Sequence, residues 1–148
     1  MLTQCHRDQL WYNSPMDQAE ERRRWETAQE LYRAADAALN QHYYRACAGL
    51  AYYACFQAMW VALGDPPAGE WRHIGITRRF CAGQWAAPPI APTGLAALYR
   101  RLLALYELRL DAHYRAQPVR PQPAQQGLDT VVEVFQVVQQ YKRLEENA

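Results

Sequence analysis

Lysine is almost missing from this chain of 148 residues: of its 16 basic residues only Lys142 is a lysine, and the rest are arginines. Arginine is the better fork for phosphate, although GC-rich coding produces the same bias. Strong net charge is missing too. The basic residues face 15 acidic ones and leave a formal charge of +1, so no whole-molecule field gathers nucleic acid or anionic membrane, and an anionic partner must be met by a local patch. The four cysteines, Cys5, Cys47, Cys55 and Cys81, form no Cys-x-x-Cys pair and no regular framework. That argues against a disulfide scaffold and for reduced thiols in a cytoplasm. Cys5-His6 is isolated, so no metal site and no cofactor is expected. The chain has no glycine-rich phosphate loop, no Ser-His-Asp arrangement and no useful period-two alternation. Its first residues, including Gln4, His6, Arg7 and Asp8, lack the continuous apolar run of a signal peptide.

What the chain does have is apolar residues at helical spacing. Its 50% hydrophobic content suffices for one core, so one domain is expected, with residues 1–14 as an irregular N-terminal segment. Ser14-Pro15-Met16-Asp17 has the form of a helix start, with Ser14 as the cap and Pro15 in the first turn. Ala28, Leu31, Tyr32, Ala35, Ala38 and Leu39 then repeat at three and four residues. A second helix over 43–63 is apolar almost all round and stops at Gly64-Asp65-Pro66-Pro67. It is long enough to suggest a membrane span, but its Ala, Gly and Tyr content fits a helix buried in protein better. A shorter helix over 73–85 carries Ile76 and Phe80 inward. A loop with three prolines follows at 86–92, and Thr93 caps a fourth long segment running to about Tyr114. A second three-proline loop at 117–126 leads to a last helix with Leu128, Val131, Val132, Phe135 and Val138 on one face. The expected fold is all-α, an antiparallel four-helix bundle with one short additional helix.

On the fourth long segment, Leu95, Leu98, Tyr99, Leu102, Leu105 and Tyr106 share one stripe, while Arg100, Glu107 and Asp111 lie opposite. Continuing the same phase reaches Arg109 and His113, neighbours at a spacing of four. Both polar side chains are thus expected on the packed face, where an unpaired cation is costly. A structural account stands beside this one: a helix C-terminus favours Arg and His, the stripe can run out into solvent after its last core turn, and an acid elsewhere can pair with Arg109.

Three blocks then carry a resemblance. Ala51-Tyr52-Tyr53-Ala54-Cys55-Phe56-Gln57-Ala58, His73-Ile74-Gly75-Ile76 with Phe80, and Arg109-Leu110-Asp111-Ala112-His113-Tyr114 together resemble the HEPN domain superfamily. They are most similar to a bacterial subfamily with Ala-Tyr-Tyr-Ala-x-Phe on its second helix and Arg-x-x-Ala-Asp-Tyr closing its fourth. The likeness spans about 25–141. It implies an antiparallel helical bundle, a homodimer, and a toxin-antitoxin or defence setting beside a nucleotidyltransferase. It also implies metal-independent ribonuclease chemistry at a dimer cleft. By that carry-over Arg109 stabilises charge on the phosphorane, His113 is the acid or base, and Tyr114 orients substrate. His73, Arg78, Arg79 and Arg115 are the further candidates for substrate contact: Arg72, Arg78 and Arg79 can rim one phosphate cleft with Arg109 and Arg115, although ordinary solvated surface is the commoner fate of the first three.

This sequence also departs from that pattern. Three residues separate Arg109 from His113, one fewer than the nuclease motif has, and Leu50 and Gln57 stand where the subfamily often carries Arg and His. Two readings follow. One is a protein that binds RNA or a nucleotide, with ribonuclease activity. The other is a non-catalytic dimeric helical module that docks on a partner protein such as a nucleotidyltransferase. Cys47 and Cys55 are read as small core residues, His42 as a helix-boundary residue, and the tyrosines of the second helix as core or dimer packing.

Overall fold

The computed structural model describes residues 16–142, and within them the fold is all-helical, with no strand. Five helices follow one another: α1 (Gln18–Asn40), α2 (Tyr44–Leu63), α3 (His73–Cys81), α4 (Pro92–His113) and α5 (Pro121–Tyr141). α2 packs against all four others, and one buried cluster draws side chains from every helix. α2 holds this place because alanine, glycine and cysteine dominate it, which lets neighbours approach on several sides. Ala48, Ala51, Ala54, Cys55 and Ala58 are fully buried. Its length and apolarity would suffice to cross a membrane, but 72% of its most apolar stretch is buried inside the protein.

Several expected boundaries are shifted. Ser14 and Pro15 lie outside the described residues. Met16 and Asp17 are not helical, and the Asp17 carboxylate accepts from the Ala19 amide at 3.0 Å, so Asp17 is the α1 cap. α3 stops at Cys81 rather than Trp85. Gly83 takes a left-handed conformation (φ +77) there, and a β-carbon on it would collide with the Ile90 carbonyl. Trp85 instead folds back, stacking on Phe80 with centroids 5.0 Å apart and donating to the Phe80 carbonyl. α4 begins at Pro92 with Ala91 in the cap position, so Thr93 is already helical.

The largest correction concerns 117–126, expected as loop. α5 starts at Pro121 and includes Pro123. Proline is tolerated in a first turn, where the amides have no intrahelical acceptor to lose. The inward face of α5 is Ala124, Leu128, Val131, Val134 and Val138, while Val132 is 37% exposed and turns outward. Gly127 brings α5 close to α4: a β-carbon there would lie 3.0 Å from Leu105 Cδ1. At the far end Lys142 caps α2, its ammonium donating to the Val61 and Ala62 carbonyls, with Glu21 of α1 4.0 Å away.

Candidate functional site

The stripe along α4 does carry inward to Arg109. Its side chain is 5% exposed and lies between α2 and α4, near the start of α3. No ion pair among the described residues includes it. Glu107 and Asp111, the acids nearest in sequence, both pair with Arg115 instead, at 2.8 and 3.1 Å. Arg109 is held by tyrosines. Its guanidinium carbon lies 4.7 Å from the Tyr52 ring, 5.4 Å from Tyr53, 5.6 Å from Tyr106 and 5.4 Å from Tyr114, all within cation–π range. Its hydrogen bonding is thin. Nη1 donates to the Tyr53 hydroxyl at 3.2 Å, and the buried Nε has no partner. Arg109 is thus a buried cation with aromatic walls, no carboxylate among the described residues and one unpaired donor.

His73 joins the same cluster from the first turn of α3. Its ring lies 5.2 Å from Phe56, 5.4 Å from Tyr52 and 6.0 Å from Tyr106. Burial pushes its pKa below the ordinary value, and the Arg109 charge pushes the same way. Burial raises the Tyr52 phenol, outweighing the opposing pull of Arg109. Both shifts favour the neutral forms, and the Tyr52 hydroxyl and His73 Nδ1 share a hydrogen bond of 2.5 Å. His73 thus sets the position of Tyr52, and Tyr52 forms one wall around Arg109.

His113 corrects the helical-wheel expectation: it is exposed, not packed. The wheel describes α4 alone, whereas the facing start of α2 offers only Ala46 and Gly49, too small to cover a side chain on the last residue of α4. The imidazole lies over Gly49, and a β-carbon on that glycine would overlap Nε2. Together with Leu50, Tyr53, Arg109 and Tyr114, these residues line an open groove of about 430 Å³. Arg45 fixes this corner, donating to the Ala112 carbonyl at the end of α4.

The remaining candidates lie elsewhere. Tyr114, 72% exposed, does rim the groove. Arg115 is occupied by its two acids and lies outside that lining. Arg78 borders a separate recess beside Cys81 and Tyr99, and neither it nor Arg79 reaches the Arg109 groove. The basic residues therefore do not rim one cleft. Cys47 and Cys55 are fully buried, and burial lifts the Cys47 thiol to about 11, which suits inert core residues. Among the described residues no three His, Cys, Asp or Glu side chains come together as a metal site.

Sequence reasoning missed Gly49 and assigned Tyr53 to packing. An α2 apolar on all sides gives a wheel no direction to single out either.

Fold and groove together define an all-helical protein with a groove lined by an arginine and two tyrosines. In comparisons with known proteins, no family model matches the chain and no curated protein shows a significant match.

Proposed function

We propose that the Arg109 groove binds RNA or a nucleotide in a HEPN-type protein, with α1, α2, α4 and α5 as its antiparallel four-helix bundle and α3 as the short addition. The observation that carries the reading is Arg109 itself: 5% exposed, without a carboxylate, and lining an open groove beside His113. A phosphate supplies the charge that the fold withholds. Metal-independent strand cleavage is the reaction these groups suit. His113 takes the ribose 2′-hydroxyl proton, and Arg109 stabilises the phosphorane as the 2′-oxygen attacks. In the homodimer that the resemblance implies, the second copy's groove supplies the proton for the leaving oxygen. A cytoplasmic bacterial toxin-antitoxin or defence component is the setting that goes with this reading.

The test is a gel shift and cleavage assay on a mixed RNA pool with the wild type, Arg109→Ala and His113→Ala. The wild type is expected to shift RNA, and Arg109→Ala to lose the shift. If all three are equally inert and none shifts RNA, both the binding and the nuclease versions fail.

A second reading has an observation of its own. Among the described residues Tyr43, Tyr53 and Tyr114 account for three of the four exposed large hydrophobic side chains, and all three border His113 or its groove. Such a patch suits a protein neighbour, either a second copy or a nucleotidyltransferase partner. Light scattering that finds a monomer at micromolar concentration, with no co-purifying protein, contradicts it.

A further inference from the structure

The Arg109 groove does not end at His113. A second recess of about 600 Å³ adjoins it, and both hollows are bounded by Ala46 and His113. His42, Tyr43, Arg45 and Val119 are among the residues lining it. The α1–α2 turn builds this recess: His42 takes a left-handed conformation (φ 65) and leaves Tyr43 projecting, 61% exposed. Charge separates this pair of hollows from a recess between α4 and α5. No aspartate or glutamate lines either hollow, whereas the recess between α4 and α5 carries Glu107 and Asp111.

We infer that the two hollows form one two-compartment site for single-stranded RNA, in which Arg109 takes a phosphate and the Tyr43 recess takes an adjacent, unstacked base. This rests on the nucleic-acid reading above and specifies its substrate. Cationic and aromatic side chains without carboxylates suit a phosphate chain whose bases stack on ring faces. A paired base enters a side recess only at the cost of unpairing and unstacking, which favours a strand that is already single. His113, which lines both compartments, would meet the sugar that links phosphate to base.

The experiment measures binding of two fluorescein-labelled probes to the full chain: an oligoadenylate four nucleotides long, and its abasic counterpart with the same backbone. The wild type is expected to prefer the oligoadenylate by about 5-fold or more, the worth of one stacked base. Tyr43→Ala should remove that preference while leaving abasic affinity unchanged, and Tyr43→Phe should keep it. Tyr43 is exposed, so its truncation does not threaten the fold. If Tyr43→Ala retains the full preference, this inference is overturned, although Arg109-dependent binding would still stand. If Tyr43→Ala dissociates a dimer without altering base preference, the recess belongs to a protein neighbour and the inference is again overturned. If the wild type binds neither probe, both this inference and the nucleic-acid reading fail.

Discussion

Gly49 and His113 meet across the α2–α4 corner such that the missing β-carbon of one is the space occupied by the imidazole of the other. His113 is exposed and ends its helix, so this notch positions it where core packing does not. The pairing separates site geometry from stability.

Gly49→Ala tests that separation. Within a helix the change removes a glycine penalty of about 1 kcal/mol, and the atom it would strike is the far end of a side chain free to rotate outward. The variant is expected to melt at or slightly above the wild-type temperature while RNA affinity or cleavage falls several-fold. Calorimetry beside the binding assay checks both. A variant that binds and cleaves as the wild type does would remove His113 from the site.

His73 gives the protein a pH signature. Its folded-state pKa lies below the ordinary 6.5, through burial first and Arg109 second. As pH falls through the unfolded value, the unfolded chain takes up a proton that the folded chain resists. The stability tied to neutral His73 is therefore complete above that pH and declines as pH falls toward the folded pKa. Tyr52, Tyr53 and Phe56 of α2 and Tyr106 and Arg109 of α4 surround the ring, and none is an acid that could offset the loss. Melting curves between about pH 7.5 and about pH 5 should show a smaller acid-induced drop for His73→Gln than for the wild type. Equal drops would contradict it.

Lys142 should matter for stability alone. Lys142→Met keeps most of the aliphatic stem but leaves the Val61 and Ala62 carbonyls without their ammonium donor. The expected loss is about 1–2 kcal/mol in denaturant unfolding, with RNA affinity unchanged. An unchanged midpoint would show that water replaces the ammonium without cost.

The sequence made the helices and the inward placement of Arg109 legible, and hid the relief of the surface around it. The α2 stop at Gly64 and the inward phase of Arg109 follow from local rules, and both hold. The α5 start was misplaced because a proline cluster reads as loop when its position in the first turn is unknown. His113 was put inside because a helical wheel has no neighbour. Whether its phase is covered depends on Ala46 and Gly49, far away in the chain. The diversion of Glu107 and Asp111 to Arg115 likewise depends on how α4 ends, which spacing does not encode.

The central claim is that Arg109 is kept for a ligand rather than for the fold, and Arg109→Met tests it most directly. Methionine preserves much of the volume among the tyrosines and removes a buried charge that has no carboxylate partner. Thermal unfolding and RNA binding should be measured on the same preparation. The account predicts a melting temperature equal to or above the wild type together with loss of RNA binding. A stability loss of about 2 kcal/mol or more with RNA binding intact would make Arg109 a structural residue and contradict it.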